Sequence, residues 1–340
     1  MENKIDKILI TGGAGFIGSH LAETMLQRGM EVIVVDNLST GKMENIEHLL
    51  VYKGFRFYKE DIRNKSKLRA IFSSELPSIV SHHAAQKSVP KSVEDPKIDF
   101  DINLVGLINV LDCIIEYDVR NVIYVSSGGA LSKEIMYNEK SKEIDFPQLL
   151  SPYALSKFAG EKYVAFYSKR YGFDFSILRY ANVYGPRQVP EGESGVIPIF
   201  INNILEEKPS IIMTFTDMPN GCTRDYIFVS DAITANVLAI ANPTNCVVNI
   251  ASGQEVSVRE IYDCIENVFD IKIPISTAGP RNGDIRRSVL DASLAESLLG
   301  WIPKVSLEQG IITLKEFLEQ NRAGHCELVH EVFDNESYGY

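Results

Sequence analysis

At 340 residues, with 45% apolar and 23% charged side chains, the chain has the composition of a globular protein with room for two lobes. A net charge of −11 excludes the basic footprint that a nucleic-acid partner requires, and no window reaches the ~18 consecutive apolar residues of a membrane span. The charged start, Met1 to Lys7, does not read as a secretory leader, and the five cysteines (113, 222, 246, 264 and 326) are odd in number and lack Cys-x-x-Cys spacing, which suits reduced thiols in a cytoplasmic protein better than disulfides or zinc.

In chain order, the first element is an apolar strand, Lys7-Ile8-Leu9-Ile10-Thr11, which runs into Gly12-Gly13-Ala14-Gly15-Phe16-Ile17-Gly18. An amphipathic helix from Ser19 to Leu26 follows, then a second apolar strand, Val32 to Val35, ending in Asp36. Each part has its own task in dinucleotide binding. Gly12 allows the tight turn, Gly15 lets the backbone approach a pyrophosphate, and Gly18 lets helix and sheet pack closely, while the helix N-terminus offers free N–H groups to the phosphates. Asp36, 18 residues after Gly18, can accept from both hydroxyls of an adenosine ribose. A carboxylate there repels a 2′-phosphate, and no arginine occurs in Asn37-Leu38-Ser39-Thr40-Gly41, so the expected cofactor is NAD rather than NADP.

Strands and helices keep alternating. Phe55 to Tyr58 leads to Asp61-Ile62, Ile79-Val80 leads to His82-His83-Ala84-Ala85, and Val122 to Val125 leads to Ser126-Ser127, with a helix expected over Ile102 to Tyr117. A long helix from Pro152 to Tyr171 and a strand from Phe173 to Leu178 complete the pattern. Beyond Tyr180 the alternation loosens. Ser257 to Glu260 and Ser306 to Gln309 each fit a capping box, and Gly300 suits the end of a short helix over Leu294 to Leu299. The fold class is therefore α/β: a doubly wound parallel (Rossmann) sheet with a smaller α+β substrate lobe. The expected division is 1–180 plus about 225–256 for the NAD-binding domain, 181–224 plus 257–320 for the second lobe, and a loosely attached polar tail over 321–340.

Chemistry is expected beyond the carboxyl ends of the strands. Tyr153 and Lys157, four residues apart, share one helical face just after the Ser126-Ser127 strand end. An ammonium beside a phenol, with a positive nicotinamide close by, favours the phenolate and should lower its pKa from ~10, making Tyr153 a base for a substrate alcohol. A serine hydroxyl can bond the same substrate oxygen. His82-His83 does not form a metal pair, because neighbours in a strand face opposite ways, and His325-Cys326 with His330 lacks a fourth ligand, so no metal is expected.

With these stretches the chain resembles the extended short-chain dehydrogenase/reductases, and most of all the NAD-dependent UDP-glucose 4-epimerases among the sugar-nucleotide epimerases. The matching runs are Thr11 to His20, Asp36 to Gly41, His83 to Val89, Ser151 to Lys157, Leu178 to Gln188 and Arg224-Asp225-Tyr226. The resemblance implies NAD-dependent 4-epimerisation of a UDP-hexose, with UDP-GlcNAc and UDP-GalNAc as further substrates, in a cytoplasmic homodimer that pairs the helices around 102–117 and 153–170 across a two-fold axis. It implies that Ser127, Tyr153 and Lys157 are catalytic. It assigns Gly12, Gly15, Phe16, Ile17, Gly18, Asp36, Asn37, Ser39, Thr40, Gly41, Asp61, Ile62, Lys87, Asn103, Tyr153, Lys157 and Tyr180 to the cofactor. To the substrate it assigns Lys87, Ser127, Tyr153, Asn182, Val196, Arg224, Arg281, Asp284 and Ser288, the last bounding the hexose pocket.

Two departures stand out. The catalytic hydroxyl falls on Ser127 or, in another alignment, on Gly128; related epimerases with a Ser-Ser-Gly-Gly run point to Ser127. Ser132-Lys133 replaces the usual Tyr-Gly ahead of a longer polar loop to Asp145, and Phe215 to Gly221 replaces a shorter Gly-Asp-Gly turn. Two other readings compete. A nucleotide-sugar 4,6-dehydratase would carry Asp-Glu where this chain has Gly128-Gly129, and a non-catalytic NAD or sugar-nucleotide sensor would not need Tyr153 and Lys157.

Overall fold

The computed structural model describes residues 6–189, 195–280 and 285–334, with backbone only from 322 onward. Six strands follow the alternation expected from the sequence: β1 Lys7–Thr11, β2 Glu31–Val35, β3 Phe55–Tyr58, β4 Ile79–His82, β5 Asn121–Ser127 and β6 Asp174–Tyr180. A seventh strand, Val247–Ile250, arrives from far along the chain and sits on the edge beside β6. The order is Val247–Ile250, β6, β5, β4, β1, β2, β3, and every pairing is parallel. Such strands are covered on both faces, which is why β1 and β2 read as continuous apolar runs. On one face Ile8, Ile10 and Val34 join a cluster under helix Phe16–Gln27, and on the other Leu9, Ile33 and Val122 pack with Leu107 and Val110.

The order in which strands are added switches sides between β1 and β4, so a crevice opens beyond their carboxyl ends. Register does the rest. Thr11 pairs with both Val35 and His82, which places Gly12, Asp36 and His83 along one rim.

Helix Pro152–Tyr171 has the limits expected for it: Ser151 Oγ accepts from the Ala154 N–H at 3.1 Å, Pro152 fills the first turn, and Gly172 ends it at φ +86°. The stretch expected as a helix from Ile102 begins instead with a π-helical turn, Asp101–Val105, before helix Gly106–Glu116.

In the second part, helices Val196–Leu205 and Val258–Phe269 pack through Phe200 and Tyr262, whose rings meet edge to face at 5.2 Å. The Ser257–Glu260 capping box is complete, whereas at Ser306 only the Gln309 N–H bond to Oγ forms. Ile197 and Tyr262 belong to the same apolar cluster as Ile8 and Val34, so the core is continuous beneath the cleft. We keep the division at residues 180, 225 and 256 as a proposal. It is supported by the return of Val247–Ile250 to the large sheet and by the pairing of Ser210–Met213 with Ile275–Ala278 inside the second lobe, while the pairing of Asn182–Tyr184 with Tyr226–Phe228 crosses the division. Helix Leu307–Asp334 runs straight through residue 321, where a loose tail was expected, because no proline interrupts it. Among the described residues no helix is long and apolar enough to cross a membrane.

Candidate active site

A cleft of about 980 Å³ follows the crevice and continues between the sheet and helix Val196–Leu205. Its floor at one end is the glycine turn. Gly12 lies at φ +71°, and a Cβ there would sit 2.6 Å from the Ala84 nitrogen, so only glycine permits this approach. A Cβ on Gly18 would strike the Gly12 carbonyl and lie 2.9 Å from the Gly13 Cα, which accounts for the third glycine as a packing requirement. Gly15 caps helix Phe16–Gln27 without a side-chain bond, leaving the helix N-terminus open to the cleft. These features, with the carboxylate described next, fit the pyrophosphate and ribose of a dinucleotide.

Asp36 is buried and accepts from the Ala14 N–H at 3.0 Å and the Leu38 N–H at 2.8 Å. Burial raises its pKa while those two bonds oppose the rise. A carboxylate has about four acceptor positions, so ribose hydroxyls still find lone pairs. Gly41 stands behind this group rather than on the cleft wall: a Cβ there would lie 2.8 Å from Asp36 Oδ2, so its part is to let the chain pass the carboxylate. Asn37, Ser39, Thr40, Asp61 and Ile62 line the same end. Arg63, which the sequence reading missed, binds Asp61 through Nε at 3.0 Å and Nη2 at 2.7 Å and holds its pKa down to about 2.

At the other end Ser127, Tyr153, Lys157 and Tyr180 meet on the wall. Ser127 ends β5 and caps the short helix Gly128–Leu131, its Oγ accepting from the Ala130 N–H at 3.2 Å. Tyr153 lies half-buried beside Ser127, and loss of hydration pushes its pKa up to about 12, opposite to the direction expected from the sequence. The Ser127 bond lowers it by less than burial raises it, because a phenolate loses its hydration there. Lys157, 4% exposed, donates to the Val125 carbonyl at 2.5 Å and lies 4.5 Å over the Tyr124 ring. Burial lowers its pKa to about 8, against the pull of Glu161 and Asp99. Tyr180 accepts from Asn236 Nδ2, and burial drives its pKa upward. His82 stacks on Tyr124 and bonds Thr11, while His83 lines the cleft and bonds Ser81, so the two imidazoles do diverge.

The third region holds Lys87, Asn182, Val196 and Arg224, all on the wall. Asn182 Nδ2 donates to the Asp225 carbonyl at 3.0 Å, Val196 opens its helix behind Gly195, and Arg224 Nη1 donates to the Thr223 carbonyl at 2.8 Å. Arg281 and Asp284 lie outside the described residues. Besides Gly41, two assigned positions are not on the wall. Asn103 is 2% exposed and spends its amide on Gln86, Asp99 and Ser156, so it acts on the cleft by pinning the loop that carries Lys87. Ser288 is also 2% exposed, with its Oγ 2.6 Å from Ser132 Oγ. Strand alternation turns Arg287 outward and Ser288 inward, so Ser288 does not itself bound a hexose pocket. Arg187 lies within the matching run Leu178 to Gln188. It reaches Glu23 at 2.6 Å and Ser19 at 3.3 Å, joining the second part of the chain to the glycine-turn helix.

Gly128 separates two chemistries. A Cβ at this position would push on the end of the Leu290 side chain and lie 3.0 Å from the Tyr180 carbonyl, so the acid that a dehydratase carries after its catalytic hydroxyl would be crowded here.

Comparison with known proteins agrees with this geometry. The profile of the NAD dependent epimerase/dehydratase family matches residues 8–251. A putative UDP-glucose 4-epimerase of Methanocaldococcus jannaschii is 41% identical over 314 residues, covering 92% of this chain and 99% of the relative. Among solved structures, UDP-glucose 4-epimerase of Thermotoga maritima with UDP-glucose superposes with a TM-score of 0.87 at 38% identity, covering 93% of this chain and 99% of the other. The Thermus thermophilus UDP-glucose 4-epimerase in complex with NAD gives 0.85 at 41% identity, covering 92% and 98%.

Proposed function

This chain belongs to the NAD dependent epimerase/dehydratase family, and from that membership we infer that it inverts C4 of a UDP-hexose, interconverting UDP-galactose and UDP-glucose through a transient 4-keto sugar. The observation that carries the reading is the convergence of Ser127, Tyr153 and Lys157 at one end of a cleft whose other end holds Gly12, Gly15 and Asp36.

Bound NAD supplies a reversible hydride acceptor next to the sugar. Tyr153 Oη takes the proton of the C4 hydroxyl and returns it after the sugar has turned, and the Ser127 hydroxyl bonds the same substrate oxygen. The Lys157 ammonium supplies positive charge beside the phenol. Asp36, Asn37, Ser39, Thr40, Asp61, Ile62 and Tyr180 hold and orient the cofactor along the wall they share. Asn182 and Arg224, with Arg281 and Asp284, hold the diphosphate and ribose, and backbone at Val196 seats the uracil. With the nucleotide fixed at that end, the keto sugar swings about its phosphate linkage and presents its other face.

Several exposed apolar side chains support a homodimer. Leu155, Tyr163 and Phe166 stand out from helix Pro152–Tyr171, and Phe100 and Val105 stand out beside it. We place the enzyme in the cytoplasm, where its free thiols stay reduced. We extend its substrates to UDP-GlcNAc and UDP-GalNAc, because neither Ser132 nor Ser288 places a side chain in the cleft where it would meet an N-acetyl group. The test is incubation with UDP-galactose and, separately, UDP-GalNAc, followed by product separation. Formation of UDP-glucose without net NADH is the expected result. A 4-keto-6-deoxy product, or no turnover, would reject the epimerase reading, and inactivity on UDP-GalNAc alone would reject the extension.

A further inference from the structure

Behind the reactive end lies a buried ion pair that the scheme above does not use. Glu161 follows Lys157 by one helical turn on helix Pro152–Tyr171 and is 1% exposed. Arg179, next to Tyr180 at the end of β6, is 4% exposed and grips both carboxylate oxygens, through Nε and Nη2, each at 2.7 Å. Ser126 Oγ donates to the same carboxylate at 2.6 Å. Ser126 in turn lies between Val125, whose carbonyl receives Lys157 Nζ, and Ser127. Arg179 Nη1 also reaches the Glu143 carbonyl at 3.5 Å, and the Glu143 carboxylate accepts from the Asn249 N–H at 2.8 Å, so the loop after Ser132 is tied to the same point.

Stability does not account for this arrangement. A buried ion pair costs about as much in desolvation as it returns, and apolar residues of similar volume often serve as well or better. What apolar residues cannot supply is a fixed negative charge one turn from Lys157 and an acceptor for the strand end that carries Ser127. We propose that Glu161, held by Arg179 and Ser126, is a positioning residue of the active site: it keeps Lys157 as the ammonium and locks the end of β5 under Ser127. The inference rests on the epimerase reading for its kinetic consequences.

The groups facing Lys157 are consistent with it. Asp99, from helix Pro96–Phe100, and Glu161 favour the ammonium. Asp99 is shared with Asn103 and Gln86. His82 and His83 at the end of β4 are held neutral, their pKa values lowered to about 3 by burial and by Lys157. Tyr124 of β5 and Tyr153 of the same helix are neutral phenols with raised pKa values. Arg179 of β6 spends its charge on Glu161.

The decisive variant is the exchange Glu161→Leu with Arg179→Met, which removes both charges together and leaves neither buried alone. In the protein as isolated with its NAD, the Lys157 Cε signal is followed by ¹³C NMR from pH 6 to 10, assigned by its loss in Lys157→Met. The kcat and KM for UDP-galactose are measured over the same range. Lys157 is expected to lose its proton about one pH unit earlier, with the alkaline limb of kcat moving by the same amount and KM within about twofold. One unit corresponds to about a tenfold lower kcat above the limb. A folded exchange variant with an unmoved Lys157 titration and alkaline limb overturns the proposal. Should the exchange prevent folding, Ser126→Ala decides: it leaves the ion pair and removes one hydroxyl. A kcat loss of about three- to tenfold at unchanged KM supports the strand-end lock, and wild-type kcat overturns it. If the wild-type protein failed to turn over UDP-galactose, the function reading would fall, while the Lys157 titration would still judge this inference.

Discussion

Tyr153→Phe removes one oxygen from a group that burial holds at a pKa of about 12. At pH 8 the protein alone therefore leaves about one phenol in ten thousand ionised, a deficit of ~5 kcal/mol at 1.36 kcal/mol per unit. The Ser127 bond is already part of that balance, and the positive charge of a bound nicotinamide would reduce the deficit, because it favours the phenolate. The side chain otherwise stays in its pocket, so Tyr153→Phe is expected to bind NAD within about threefold of wild type while losing ~10²- to 10⁴-fold in kcat. Conversion of UDP-galactose by product separation reads the first effect on turnover, and NAD titration by fluorescence reads the binding. The signs also shape the pH profile. Activity needs the phenol deprotonated, so it rises with pH, and it needs the Lys157 ammonium, which burial brings down to a pKa of about 8, so it falls again in the alkaline range. Should Tyr153→Phe keep kcat within about threefold, the proton passes through another group and the assignment of the base is wrong.

Asp36→Ala takes a charged acceptor from the Ala14 and Leu38 N–H groups as well as from the ribose. At ~1.5–3 kcal/mol for a charge-assisted bond, NAD affinity should fall about 10- to 100-fold and its advantage over NADP should narrow; an unchanged NAD/NADP ratio in calorimetry would remove Asp36 from the ribose site. Leu155→Asp with Phe166→Asp should convert the proposed dimer to monomer in sedimentation velocity at micromolar protein, and a wild-type chain that already runs as a monomer would refute the dimer. Gly128→Asp should cost about 1–3 kcal/mol in urea unfolding through its clash with Leu290 and the Tyr180 carbonyl, without yielding a 4-keto-6-deoxy sugar; wild-type stability with that product would show space the geometry denies. Ser288→Tyr should destabilise by a similar ~1–3 kcal/mol, because the new ring must displace Ser132. Loss of activity on the acetylated sugar alone, at wild-type stability, would instead put Ser288 on the wall.

Sequence legibility followed the distance over which each feature is decided. The glycine turn, Asp36 and the Tyr153–Lys157 face depend on neighbours within one βαβ unit or one helical turn, and the sheet assembles them by register, as Thr11 opposite Val35 and His82 makes plain. Ser288 and Asn103 are decided otherwise. Whether a strand residue faces a ligand or the interior depends on which partner strand it meets, and Arg287–Ser288 meets Thr223–Arg224 from more than sixty positions away. Asn103 stands in a π-helical turn that shifts the phase of its helix, so a helical wheel through 102–117 misplaces it. Depth is the remaining hidden quantity. Residue types and spacing put a lysine beside a tyrosine, but the solvent withheld from both sets the sign of the Tyr153 shift, and that follows from β5, β6 and two helices closing over them. The same depth explains the Glu161–Arg179 pair. Its members lie eighteen positions apart, and only their burial beside Lys157 turns an ordinary pair of charges into a group that can govern a third.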